Sequence, residues 1–163
     1  MLDSAPAVFV ALEGSGLGQT IRQSNWIYMA ANVGHIVALM VFAGAVAVLD
    51  LRLAGAFAAT SPGKVLGRAR HAAIGAFLFL MLTGAALFTA EASHVIMNRV
   101  FQVKLALIAL GLINVALFEV FTAAEVRDLP PRSLLPAAAR RAGIASLAIW
   151  IAVAICGRSI AYF

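Results

Sequence analysis

Trp26 to Arg52 reads WIYMAANVGHIVALMVFAGAVAVLDLR, and this stretch decides the fold. The 24 residues from Trp26 to Leu49 hold no Asp, Glu, Lys, Arg or Pro. At about 1.5 Å of rise per residue, a helix of that length crosses a hydrocarbon core of about 30 Å. Trp26 and Tyr28 mark one end, where amphipathic rings favour the interface, and Asp50 and Arg52 mark the other. Near the middle sits His35, the one ionisable group at that depth in any predicted span. Such a side chain costs enough in lipid that it points to function.

Composition puts the rest of the chain in the same solvent. Of 163 residues, 63% are hydrophobic and 12% charged, and the mean hydropathy is +0.99. A soluble domain of this length has no interior large enough to hide so much apolar surface. The lipid bilayer is therefore the first partner. A net charge of +5 would suggest nucleic acid in a soluble protein. Here the bases fall in loops, where they set orientation, and no nucleic-acid partner is expected. The single cysteine, Cys156, excludes an internal disulfide and a cysteine-based metal site. Asp3 stands where a cleavable leader would carry its basic start.

Four spans are predicted, over about 26–50, 70–91, 100–121 and 137–158. Residues 1–25 form an N-terminal interfacial segment, with a short amphipathic helix from Pro6 to Leu12 and a break at GSGLG, Gly14 to Gly18. Pro130, Pro131 and Pro136 forbid a continuous helix through the last loop, and residues 159–163 form a tail. Lipid offers no water to unpaired backbone groups, and the loops are short. The expectation is an all-α, up-down-up-down four-helix bundle over residues 26–158. Eight bases lie in the loops 50–71 and 119–141, against four elsewhere. The positive-inside rule then predicts a bacterial inner-membrane protein with both termini periplasmic.

Helical spacing predicts which residues meet. Asn25, Tyr28, Asn32 and His35 form one stripe on the first span, continued by Phe42 and Val46. Phe77, Met81, Gly84, Phe88 and Glu91 share a face on the second, and Lys104, Ile108, Gly111, Asn114 and Phe118 on the third. Gly143, Ser146, Trp150, Val153 and Gly157 share one on the fourth. Counting from the span ends puts His35, Met81 and Trp150 at one depth. Asp50 and Arg52 are expected to cap and anchor the first helix, Arg52 matching its negative C-terminus.

For His35 three readings stand side by side. It could ligate the iron of a b-type haem, with Met81 as a sixth ligand. It could be a neutral core histidine bonded to Asn32, Asn114 or a backbone carbonyl. Or it could line a pocket for a quinone or other small ligand, with Tyr28, Asn32, Asn114 and Trp150 around it. His71 and His94 fall near opposite faces, about 15 Å or more from its level, so no second histidine joins it. His94 with Met97 offers a nitrogen and a sulfur to Cu(I). Glu91, Lys104 and Arg158 are expected to form a structural charge cluster tying three helices together. Catalysis has no support: no nucleophile triad, no metalloprotease motif and no paired carboxylates within a cavity.

Several segments taken together are familiar: Ser24 to Tyr28 (SNWIY), His35, LDLRLAG from Leu49, TGAALF from Thr83, FQVKLALIALGLIN from Phe101 and GRSIAY from Gly157. The combination resembles a family of small bacterial inner-membrane proteins of unknown function, over nearly the whole chain after about residue 12. That resemblance carries no activity to transfer. In layout the chain is also similar, more distantly, to cytochrome-b-like and copper-resistance membrane domains. The expected role is a subunit or accessory of a larger redox or energy-transducing membrane complex, without catalysis of its own. The alternatives are a colourless scaffold or small-ligand-binding protein, and a copper-handling protein.

Overall fold

The computed structural model describes residues 5–162, and Asp3 lies outside them. Eight α-helices follow in order: α1 Ala7–Glu13, α2 Gly16–Gln23, α3 Asn25–Ala54, α4 Pro62–Ala90, α5 Ala92–Met97, α6 Arg99–Phe121, α7 Ala123–Arg127 and α8 Ala137–Ser159. A 3-10 turn, Ile160–Tyr162, extends α8, and no strand occurs among the described residues. Four helices, α3, α4, α6 and α8 with its turn, are long and apolar enough to cross a membrane. The chain is a multi-pass, all-α membrane protein.

Local chemistry sets the helix ends. Ser24 Oγ accepts from the Ile27 amide at 3.3 Å to open α3, and Asn98 Oδ1 accepts from Val100 and Phe101 at 2.9 and 3.2 Å to open α6. These side chains satisfy donors that the first helical turn leaves free. Gly55, at φ 112°, closes α3 in the left-handed conformation that a side chain resists. Helix α4 starts at Pro62 rather than at the predicted Arg70. Proline at the first helical position loses no hydrogen bond, so the helix extends back into what reads as loop.

The N-terminal helix breaks where expected: α1 ends at Glu13 with Gly14 as its C-cap, and a second helix then begins at Gly16. Ser15 caps α2 by accepting from the Gly18 amide at 3.2 Å. A Cβ on Gly18 would stand 2.5 Å from the Glu13 carbonyl oxygen, so the turn between α1 and α2 needs a glycine there. The pair is docked on the bundle. Helix α1 packs on α5, and α2 packs on α4 and α3. Phe9 meets Phe88 edge-on at 5.9 Å, and Ile21 is buried.

In the bundle α3 runs along both α4 and α8, and α6 runs along α8; α4 and α6 share no extended packing. The order is α4–α3–α8–α6, with the fourth seam open. Small residues let the closed seams close, as membrane packing favours. A Cβ on Gly143 would lie 2.7 Å from Leu53 Cβ and 2.9 Å from the Asp50 carbonyl oxygen. At the end carrying the basic loops, Arg132 N donates to the Ala58 carbonyl at 2.7 Å. Arg52, 1% exposed, donates to the Thr60 carbonyl at 3.0 Å. It anchors the loop after α3.

Candidate functional site

Pairwise contacts fix the depths. Across α3 and α8, Asp50 meets Gly143 and Phe42 meets Trp150 at 4.7 Å. Seven residues further along each helix, His35 faces the level of Gly157, beside which Lys104 Nζ lies. Trp150 is therefore not level with His35. It sits about 10 Å deeper, at Phe42. Counting back from Arg158 misplaces it, because the helix continues past Arg158 to Ser159 and its turn.

At the end bearing the chain termini, most polar groups singled out from sequence find a local partner or the surface. His35 Nδ1 lies 2.9 Å from Thr83 Oγ1. Thr83 spends its own proton on the Phe79 carbonyl at 2.8 Å, so it accepts, and the network assigns the His35 proton to Nδ1. Nε2 has no hydrogen-bond partner among the described residues. Gly84 lies against the ring, where a Cβ would stand 3.3 Å from Cε1. The partner is thus Thr83, not Asn32 or Asn114. Met81 is 51% exposed and turns outward; its neighbours on the buried side, Thr83 and Gly84, meet His35 in its place. Asn32 is exposed.

The expected cluster of Glu91, Lys104 and Arg158 does not assemble. Glu91 accepts from the Tyr28 hydroxyl at 3.3 Å, Arg158 turns to Tyr162 at 2.5 Å, and Lys104 packs by Gly157. Glu91 and Arg158 are each drawn to a nearer group, and Lys104 has no hydrogen bond or ion pair among the described residues. Among the described residues the ion pairs are others: Arg22–Glu13 at 2.8 Å and Arg70–Glu119. Glu13 also accepts from the Ser93 hydroxyl and from its amide, the latter at 2.9 Å. Those Ser93 bonds, with Arg22 beside them, hold the Glu13 carboxyl below its usual range. A surface depression of about 480 Å³ lies here, lined by residues such as Arg22, Tyr28 and Glu91 and by none from α6 or α8.

The other half of the bundle is built differently. Beside the open seam, all four spanning helices wall a cavity of about 380 Å³. Its apolar end is a cluster of three rings: Phe42 and Trp150, with Phe77 at 5.6 Å from Phe42 and 6.1 Å from Trp150. Its polar end holds Asp50, Asn114 and Ser146, with the Arg70–Glu119 pair also on the wall. Asn114 donates one of its two amide N–H groups to the Ala142 carbonyl at 3.0 Å. Asp50 is 5% exposed, and its Oδ2 has no hydrogen-bond partner among the described residues. Ile74 on α4 and Val115 on α6 line the cavity yet are among the exposed apolar residues, which opens it sideways towards lipid.

Asp50 and Glu119 were not expected in a common cavity, and two carboxylates lining one overturn that expectation. Asp50 is not an end cap either, because α3 runs on to Ala54. A signal for it was present. The buried row Ala38, Phe42, Val46, Asp50 and Leu53 continues the stripe of Tyr28 and His35 at spacings of three and four. His94 and Met97 lie on α5, and no group of three His, Cys, Asp or Glu side chains that could hold a metal forms among the described residues.

A family model described as a family of unknown function, DUF6644, matches residues 8–163. The chain belongs to DUF6644. The DUF6644 match spans all four membrane helices, the cavity and His35, in agreement with the resemblance read from the sequence. No curated protein and no solved structure matches this member of DUF6644.

Proposed function

We propose that this protein binds a small lipophilic molecule from the bilayer in the cavity beside Asp50. One observation carries the proposal: the four spanning helices enclose about 380 Å³ on the open side of the bundle, while the seams elsewhere close on glycine and alanine. That volume falls in the range of about 300–1,000 Å³ typical of small-molecule sites, and mostly apolar walls with a few convergent polar groups are their usual build. Packing alone leaves no such space at native density. The test is native mass spectrometry of protein lifted from its membrane in lipid. A bound small molecule should accompany the wild type and be lost when Ala142→Phe fills the cavity. Retention of the same molecule by the filled variant would sink the proposal.

A second reading, a b-type haem on His35, is favoured by one feature. Thr83 holds Nδ1 and leaves Nε2 free, the arrangement in which a histidine is oriented for a metal. His35 would be the single protein ligand, since Met81 turns outward and the facing level offers Lys104 and Gly157. Protein made in haem-supplied cells should then show a Soret band that His35→Ala abolishes; a colourless wild type would rule it out.

A further inference from the structure

We infer that the ligand of this cavity is a lipophilic monovalent cation, an amine whose ammonium group sits against Asp50 and whose tail lies on the Phe42–Phe77–Trp150 rings. The inference rests on the cavity reading above and adds the chemical class. It begins with hydrogen-bond accounting at the polar end. Asp50 offers Oδ2, a buried acceptor without a partner. Asn114 places one amide N–H on the Ala142 carbonyl and keeps the other, together with its carbonyl oxygen. The guanidinium on the wall, Arg70, is paired with Glu119. The buried atom left without a partner on the wall is an acceptor, Asp50 Oδ2, and the group that complements it is a donor.

Charge points the same way. Asp50, Glu119 and Arg70 sum to one negative charge on the wall when ionised, and no ion pair reaches Asp50 among the described residues. An unpaired carboxylate in apolar surroundings is costly, and a cation brought into contact with it relieves that cost. The rest of the cavity defines the other end. Phe42 lies eight residues before Asp50 on α3, about 12 Å along the helix axis. The three rings there offer apolar edges and faces to a tail of that length. The sideways opening past Ile74 and Val115 gives such a molecule a route from the bilayer. Neutral lipophiles would fill the apolar end but leave Asp50 as it stands.

Trp150 reports on the tail directly. Trp26, the other tryptophan, is 78% exposed at the opposite end of α3, so Trp26→Phe leaves a single indole inside the cavity. This protein in neutral-lipid nanodiscs would be titrated with ω-bromodecylamine and, separately, ω-bromodecanol, whose bromine quenches indole on contact. The amine is expected to quench Trp150 at about tenfold lower concentration or less, the scale of a buried charge pair. Asp50→Asn should remove that difference and leave quenching by the alcohol unchanged, which also shows that the variant folds. Asp50→Glu should keep much of the preference. Equal quenching by amine and alcohol in the unaltered cavity would overturn the cation and leave the cavity reading intact. An amine preference that survives Asp50→Asn overturns the role of Asp50. Quenching by neither overturns both.

Discussion

The two halves of the bundle contain similar polar groups and treat them differently. Around His35 both carboxylates have an answer within the chain, Tyr28 for Glu91 and Ser93 and Arg22 for Glu13, and Thr83 answers Nδ1 of the half-buried histidine. Around Asp50 a carboxylate is as deeply buried as the apolar seam beside it, yet one oxygen goes unanswered. Buried polar groups are paired in folded proteins almost without exception. A satisfied group therefore reads as structure, and an unsatisfied one beside a cavity reads as a place for something else. The same lipid surrounds both halves, so the contrast comes from the chain.

The largest effect that would break this comparison concerns the seam that holds Asp50 in place. Gly143→Leu should prevent α8 from reaching α3, because even a Cβ would overlap Leu53 and the Asp50 carbonyl. Gly143→Ala should cost about 1–3 kcal/mol, the scale of overpacking a tight core. Gly44, on the facing helix α3, meets nothing within 4 Å. Gly44→Ala should be neutral or stabilise by about 0.5–1 kcal/mol. Steric trapping in bicelles measures both, and equal losses at the two sites would show that α3 and α8 do not pack as described.

Next comes Asp50. If its exposed need for a partner is kept for a ligand, removing it should help the empty protein. Asp50→Leu is expected to raise stability by about 1–3 kcal/mol, the cost of leaving a buried polar group unpaired, while abolishing amine binding. Such a trade between stability and activity is common at functional sites. Thr83→Val at the other half should do the reverse. It leaves His35 Nδ1 without its acceptor and should lower stability by about 1 kcal/mol. A loss on Asp50→Leu as large as that on Thr83→Val would erase the distinction between the halves.

These residues also show where sequence reading succeeds in a membrane protein. Four spans were legible because length and the absence of charge are sufficient evidence in lipid. The inward face of α3 was legible because His35, Phe42 and Val46 mark it. On α4 an apolar surface runs all round the helix, so no polarity contrast marks the inward face. Spacing and depth then chose Met81, and Thr83, next to the Gly84 that spacing did mark, went unread. Asp50 was missed for a different reason. A charge next to an apolar run was taken as the end of the span, but α3 continues four residues further, to Ala54. The depth of Trp150 failed in the same way, since helix ends and charge boundaries differ by a turn or more.

The smallest effect lies at the surface, where Glu13 docks α1 and α2 onto α5 through Ser93. Its carboxyl is held below the usual value, 4.5, chiefly by the Ser93 hydroxyl and amide and then by Arg22. A depressed folded value means that the docked state binds protons less readily than the undocked one. The docking energy is therefore fully present above pH 4.5 and fades as pH falls through the lower folded value. Amide-exchange protection across Ala7–Gln23, corrected for intrinsic rates, should drop over that window and recover on return to neutral pH. Glu13→Gln should show weakened protection already at pH 7 and no further fall below 4.5, because nothing remains to titrate. The bundle itself should not respond over the same window. A concerted loss across α3 and α4 would mean that the N-terminal pair is part of the bundle's own stability rather than a latch upon it.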